Sequence, residues 1–293
     1  MKKAVVWILV FVFLAIYVFV CYADEPIPFE LEKRIHFVSD ECFIVRDDGT
    51  VFMNRAAKDA FPDVLEWKDI QAISVDTSTV VGLRTDGTVV ATGSDNNFGV
   101  LDVTNWKNIV EVAADLWCTY ALNSDGELIH TGEIFSEDRE TFYKYEWKNL
   151  KQIVAEAGYL FALTNDGHVI STYDDDFTQL EDVQHMFAED MGVDFIHGDG
   201  AHSFYSIYGG GFVYINENKT PLSQTSMYSG RSIDLDIHGN IHSSEFSPYY
   251  QLDADNIIAV CGGIYVDKDG VLYSIEVIDA DEPLPTFDLS RYQ

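Results

Sequence analysis

The side chains in this sequence that could do chemistry are mostly carboxylates. Asp and Glu number 49 against 18 Lys and Arg in 293 residues, for a formal net charge of −31. Carboxylates can act as paired acids and bases, ligate calcium through oxygen, or attract a basic partner. Most of the obvious constellations lack the required spacing. His197/His202 and His238/His242 bracket turns, with neither a helical His-Glu-x-x-His pattern nor a cysteine partner. Asp174-Asp175-Asp176 and Asp253-Ala254-Asp255-Asn256 are oxygen-rich but do not follow a calcium-loop spacing. Tyr208-Gly209-Gly210-Gly211-Phe212 lacks the Lys-Ser/Thr of a phosphate loop, and no nucleophile elbow occurs. No catalytic residue, metal or cofactor is therefore assigned. One set remains: Asp76, Asp115, Glu156 and Glu189 each lie 11 positions before a glycine that follows Asp. Asp40 is two places off that position in an earlier copy.

What positions these acids is a repeat. Trp67-Lys68-Asp69-Ile70, Trp106-Lys107-Asn108-Ile109 and Trp147-Lys148-Asn149-Leu150 each lead, 20 residues after the tryptophan, to the glycine of an Asp-Gly pair. Asp-Gly between two apolar runs is a strong hairpin signal, because glycine supplies the positive φ of a tight turn. Asp-Gly recurs at Gly49, Gly87, Gly126, Gly167, Gly200 and Gly270, and His238-Gly239 is a degenerate copy. Successive glycines are 38, 39, 41, 33, 39 and 31 residues apart. The flanks, such as Ile73-Ser74-Val75, Val80–Leu83 and Thr88–Gly93, are short, β-branched runs that read as strands. Each unit supplies three clear strands, and a looser stretch such as Val100-Leu101-Asp102-Val103 can supply a fourth. Seven such units predict an all-β, seven-bladed β-propeller over residues 24–293. Trp67, Trp106 and Trp147 are expected to pack between adjacent blades.

Residues 1–23 stand outside this fold. Lys2-Lys3, the apolar run Ala4–Val20 and Cys21-Tyr22-Ala23 have the order of a cleaved signal peptide, which points to an extracellular or cell-surface location. The competing reading is an uncleaved single-pass N-terminal membrane anchor. Without this segment 16 Lys+Arg face 49 Asp+Glu, a net of −33 that argues against nucleic-acid binding. Cys42, Cys118 and Cys261 remain, an odd number that makes no disulfide framework. They read as small buried side chains, with a Cys42–Cys261 bridge open only if the first and last repeats adjoin.

The segment from Trp67 to Trp106, with Val81-Gly82-Leu83-Arg84-Thr85-Asp86-Gly87-Thr88-Val89-Val90-Ala91-Thr92-Gly93 and Asp95-Asn96-Asn97-Phe98-Gly99, resembles the RCC1 (regulator of chromosome condensation) repeat, in its bacterial secreted or surface form. The resemblance is strongest over 67–170 and implies a seven-bladed propeller. The family commonly places glycine where Asp76, Asp115, Glu156 and Glu189 stand, and histidine where Thr79, Cys118, Tyr159 and Gly192 stand. The nucleotide-exchange role of the eukaryotic member is not carried over, because no residue here matches its contact sites. Equivalent positions of successive blades form a ring about the axis. Asp40, Asp76, Asp115, Glu156, Glu189 and Asp190, with Trp117 and Tyr159 beside them, are therefore the expected binding face. The expected function is a binding module for a basic protein or cell-envelope ligand. The alternative is an extracytoplasmic hydrolase or lyase with a carboxylate site in the channel.

Overall fold

The computed structural model describes residues 31–38, 40–134, 142–143, 145–173, 177–189, 192–198, 201–207, 211–213, 222–228, 231–236, 241–243, 257–261, 264–274 and 278–292. Among these residues seven antiparallel sheets follow one another along the chain. Sheet 1 is Ile35–Val38, Glu41–Val45 and Val51–Met53, and sheet 2 is Ile70–Val75, Thr79–Arg84 and Val89–Gly93. Sheet 3 is Ile109–Ala114, Cys118–Asn123 and Leu128–Gly132, and sheet 4 is Leu150–Glu156, Tyr159–Thr164 and Val169–Ser171. Sheet 5 is Val183–Glu189, Gly192–His197, His202–Ser206 and Gly211–Val213. Sheet 6 is Leu222–Tyr228, Arg231–Asp236 and Ile241–Ser243, and sheet 7 is Ile257–Cys261, Ile264–Asp267 and Leu272–Ser274. The first strands of consecutive sheets pack on one another from sheet 1 to sheet 7 and line the axis of a β-propeller.

The turn glycines and the Trp-Lys-Asx-Ile segments meet across sheet boundaries. Asp69, Asn108, Asn149 and Asp182, each just before a first strand, have φ of 57°, 57°, 59° and 53°. Asp and Asn tolerate this left-handed conformation better than other non-glycine residues. The bend lets Ile70, Ile109, Leu150 and Val183 donate their N–H groups to the carbonyls of Gly49, Gly87, Gly126 and Gly167 in the preceding sheet, at 3.0, 3.0, 3.0 and 3.2 Å. A Cβ on Gly49 would lie 2.9 Å from the Cα of Asp69, so close approach as well as positive φ requires glycine there.

The tryptophans fill the space between sheets. Trp67 is buried among Phe43 and Met53 of sheet 1 and Ile73 and Val80 of sheet 2. Trp106 packs with Val81 and Leu83 of sheet 2 and Val112 of sheet 3. Trp147 stacks 5.2 Å from Phe142, and its indole N–H donates to the Phe142 carbonyl at 2.7 Å.

The expected fourth strand appears only in sheet 5 among the described residues; the other six sheets have three. Over 94–105 side chains take the place of ladder partners. Asn96 Oδ1 accepts from the Leu101 N–H at 2.8 Å, and Gly99 turns at φ 77°. Thr119 and Thr131 of sheet 3 then donate hydroxyls to the Val100 and Gly99 carbonyls. After sheet 1 the same interval forms helix α1 (Arg55–Ala60), capped by Asn54 Oδ1 accepting from the Ala57 N–H.

The ring is closed by the C-terminal segment 278–292. Phe287 donates its N–H to the Gly270 carbonyl at 2.8 Å, in the place taken elsewhere by the residue after the left-handed Asx. Phe287 is 3% exposed among Leu31, Ile44 and Phe52 on one side and Ile264, Val266 and Leu272 on the other, and Arg34 lies 4.3 Å over its ring. Arg55 pairs with Asp279 and Asp281, and Arg46 with Glu282. With Asp279 73% and Asp281 62% exposed, pairs of this kind contribute about 0–1 kcal/mol each, so the apolar seam holds the segment. Cys42 is a buried free thiol in this seam; the side chain of Cys261 lies outside the described residues. Phe287→Ala is expected to lower stability by about 3–5 kcal/mol, measured by urea unfolding, whereas Asp279→Ala should change it by under about 1 kcal/mol.

Candidate functional site

The propeller has two ends: one carries the connections between first and second strands, the other the Asp-Gly turns. The acids singled out by spacing lie at the connection end, at equivalent backbone points of sheets 2 to 5. Asp76 and Asp115 donate their N–H groups to the Thr79 and Cys118 carbonyls, and Glu156 and Glu189 pair with Tyr159 and Gly192. Their side chains are treated differently. Asp40 is exposed. Asp76 is partly buried; burial raises its carboxyl above the usual range, offset by a 3.0 Å hydrogen bond from the Thr77 hydroxyl. Asp115 is only 2% exposed, and its Oδ1 accepts from the Leu116 N–H at 2.8 Å and from the Gly158 N–H of sheet 4 at 3.1 Å. This carboxylate joins two sheets.

Glu156, Trp117 and Tyr159 are partly buried, and the Tyr159 ring meets Tyr173 edge-on at 4.6 Å. Ala157 and Gly158 turn this connection at φ 52° and 91°. Phe98, 48% exposed, stands on the loop that the Thr119 and Thr131 hydroxyls anchor at the same end. The side chain of Glu189, together with Asp190 and Met191, lies outside the described residues, as do Asp174–Asp176, Tyr208–Gly210, Asn218–Thr220, His238 and Asp253–Asn256.

A second polar arrangement, not singled out by the repeat pattern, lies on the first strands. Ser74 Oγ accepts from the Ala114 N–H at 2.9 Å, Glu111 Oε2 from the Ile153 N–H at 2.7 Å, and Gln152 Oε1 from the Met186 N–H at 2.8 Å. Each bond reaches the next sheet. Glu111 and Gln152 lie 15 positions before their turn glycines, so polar residues in an otherwise apolar strand were the available signal. Lys33 approaches Glu111 at 3.8 Å. Glu32 adjoins them; its Oε2 is closed off from solvent and has no hydrogen-bond partner among the described residues. Burial raises the Glu32 carboxyl well above its usual range; Lys33 opposes the rise, and Asp194 and Glu111 add to it.

Lys33 and Glu111 border an open cavity of about 1040 Å³ at the turn end. Its wall is made by the leading ends of the first strands of sheets 1 to 4, with Lys33, Gln71, Val110 and Lys151 in the lining and Arg291 at its edge. Gln71, Val110 and Lys151 are the extra residues of β-bulges, where the register slips between Ile70 and Ala72, Ile109 and Glu111, and Leu150 and Gln152. Bulges re-aim side chains and recur next to binding sites. Lys33, Gln71, Val110 and Lys151 all lie 16 positions before a turn glycine. Groups of three or more His, Cys, Asp or Glu able to hold a metal ion are absent among the described residues. The buried thiols of Cys42 and Cys118 are pushed up to about 12 by desolvation, which makes them poor nucleophiles.

Asp115→Ala should cost about 2–4 kcal/mol, because it strands two N–H donors, while Asp115→Asn keeps an acceptor and should cost clearly less; thermal and urea unfolding would separate them. For Glu32 the raised folded pKa means that the native state holds a proton which the unfolded chain releases. Its stabilising contribution is full below about pH 4.5 and is lost as pH rises through the raised value. Glu32→Gln should therefore be more stable than the unaltered protein at pH 7 and flatten the decline of stability with pH, as measured by unfolding across pH 4–8.

No protein-family model and no curated protein sequence matches the chain. Solved structures are similar to it. The CRINKLY WD40 ectodomain of the Arabidopsis thaliana receptor kinase ACR4 matches at 12% identity and TM-score 0.54, over 83% of this chain and 97% of that one. The ectodomain of the Physcomitrella patens receptor kinase CR4 matches at 10% identity and TM-score 0.54, over 79% and 68%. Prp20p from Saccharomyces cerevisiae, described with its binding to Gsp1p and histones, matches at 15% identity and TM-score 0.48, over 76% of each chain. At these identities likeness speaks for the fold alone. With the Asp-Gly repeat and the sheet order, the fold is a β-propeller.

Proposed function

We propose that this chain is an exported protein-binding propeller that meets a basic protein or cell-envelope ligand through its connection end. The observation that carries this reading is the co-location there of carboxylates and aromatic surface. Asp40, Asp76 and Glu156 share the end with the 48%-exposed Phe98 and the partly exposed Trp117 and Tyr159. Aromatic anchors rimmed by charge are the usual composition of a protein interface, and the acids would steer a basic partner toward it. Export rests on the order of residues 1–23, which lie outside the described residues. Among the described residues no helix is long and apolar enough to cross a membrane.

The competing enzymatic reading would place carboxylate chemistry at the axis, where Glu32 and Glu111 have different environments. Glu32 Oε2 has no contact with solvent. Glu111 directs Oε2 to the Ile153 N–H and Oε1 to Lys33. Both Glu111 oxygens are thus approached by the protein's own groups, which favours the binding reading.

Affinity capture with residues 24–293 against extracts of the producing cells tests the reading. The triple variant Asp40→Lys, Asp76→Lys, Glu156→Lys should retain about a tenth or less of the partner captured by the unaltered protein, and capture should weaken as salt is raised. Capture that is unchanged by the triple variant would remove the acidic face from the proposal.

A further inference from the structure

The Asp-Gly turns hold their aspartates in two different ways. Asp48 Oδ1 accepts from the Thr50 N–H at 2.9 Å and from its hydroxyl at 2.6 Å, and Asp86 Oδ1 accepts from both groups of Thr88 at the same distances. Asp166 Oδ1 accepts from the Thr164 hydroxyl. In two other turns a neighbour takes over this task. Asn123 Oδ1 accepts from the Asp125 N–H at 3.0 Å and from the Glu127 N–H at 2.9 Å. Asp267 Oδ1 accepts from the Asp269 and Val271 N–H groups, both at 2.9 Å. Asp125 and Asp269 are exposed, and their carboxylates make neither a hydrogen bond nor an ion pair among the described residues.

An unengaged aspartyl carboxyl before glycine can react with its own main chain, because glycine has no Cβ to shield its nitrogen. The glycine nitrogen bonds to Asp Cγ and gives up its proton, while the protonated carboxyl loses its hydroxyl as water. A five-membered cyclic imide results, and water then opens it. Cleavage between nitrogen and Cγ restores Asp. Cleavage between nitrogen and the Asp main-chain carbonyl carbon leaves the chain running through Cγ, as isoaspartate. The water lost is regained, so the net change is an isomerisation. The attacking nitrogen is in the same state in all five turns: Gly49, Gly87, Gly126, Gly167 and Gly270 each donate to the carbonyl three residues back at 2.9–3.0 Å. Their own carbonyls are also alike, each accepting an N–H from the next first strand or from Phe287. What differs is the carboxyl. Asp48, Asp86 and Asp166 must break threonine hydrogen bonds before they can turn to the nitrogen. Those bonds also hold their carboxyls below the usual range, which depletes the protonated form that loses water.

We infer that Asp125 and Asp269 are sites of spontaneous isoaspartate formation in the folded protein, with water as the only co-reactant. Both sit on contacts that join sheets. The Gly126 carbonyl accepts from the Leu150 N–H of sheet 4 at 3.0 Å, and the Gly270 carbonyl accepts from the Phe287 N–H at 2.8 Å. Gly270 lies so close to Phe287 that a Cβ on it would overlap the Phe287 carbonyl, so the methylene that isoaspartate adds to the main chain displaces this contact. Conversion at Asp269 therefore loosens the closing segment, and conversion at Asp125 loosens the junction of sheets 3 and 4.

Peptide mapping of the folded protein, aged at physiological temperature and mildly acidic pH, tests this. Isoaspartyl peptides keep their mass, elute separately and are marked at the residue by electron-transfer fragmentation. Isoaspartate should build up at Asp125 and Asp269 roughly tenfold faster than at Asp48, Asp86 and Asp166, the factor expected from one or two hydrogen bonds that must first break. Ageing in urea should make the five rates alike, since every one of these aspartates precedes glycine and only the fold distinguishes them. Thr88→Val removes the hydroxyl while keeping the N–H and should raise the rate at Asp86; Glu127→Thr should lower it at Asp125. The inference is overturned if Asp125 or Asp269 isomerises no faster than Asp86 in the folded protein, or if the same order of rates persists in urea.

Discussion

The fold depends on one repeated exchange of hydrogen bonds. A left-handed Asx residue ends the approach to each first strand of sheets 2 to 5, and the N–H that follows it binds the turn-glycine carbonyl of the preceding sheet. The Asx carbonyl in turn accepts from its own hairpin: Asp69 from Thr85, Asn108 from Ser124 and Asn149 from Asn165, at 2.8–2.9 Å. One residue thus sets both the distance and the angle between neighbouring sheets. The bond is local in sequence on one side and a whole repeat away on the other, so fixing one sheet presents the next with a formed acceptor. Closure uses a different donor, from the segment 278–292 that comes after sheet 7. Phe287 supplies it, and its ring lies in the seam between first and last sheets.

That geometry explains what was legible in the sequence. The Asp-Gly turns, the tryptophans 20 residues before them and the apolar positions between are all direct requirements of the clamp and of inter-sheet packing. Their spacing therefore carried the fold. The missing fourth strands were not legible, because whether 94–105 pairs or coils depends on Asn96 capturing the Leu101 N–H and on hydroxyls arriving from sheet 3, which no local pattern reports. Register also placed Asp76, Asp115, Glu156 and Glu189 at one end. What it could not give is side-chain burial: Asp115 is enclosed because the positive-φ turn at Ala157-Gly158 brings an N–H onto it. Lys151 lay unread for a related reason. A bulge residue looks like one more polar position in a strand until the register slip turns it into the cavity.

The axis combines polarity with burial in a way that a propeller of apolar first strands would not require. Ser74, Glu111 and Gln152 each satisfy an N–H of the next sheet, so they extend the ladder sideways by side chain. A buried polar group without a partner costs about 1–3 kcal/mol, so replacement of any of these by an apolar residue would leave an orphan N–H rather than a neutral gap. Glu32, beside Lys33, Glu111 and Asp194, is the point where this satisfaction is least complete. Stability has been ceded there, at the back of the wall that carries Lys33.

This distribution changes what the net charge of −31 means. Part of the acidity is architectural. Asp48 and Asp86 hold the threonines of their own turns, which lowers their carboxyl pKa through hydroxyl and backbone hydrogen bonds. Asp47 anchors the closing segment, Asp115 joins sheets 3 and 4, and Glu111 joins sheets 3 and 4 at the axis. These carboxylates act on the protein's own N–H, hydroxyl and guanidinium groups and contribute little directional attraction for a partner. Net charge is therefore a poor guide to where such a chain would draw a partner, and the exposure of individual acids, such as Asp40 at the connection end, is the better one.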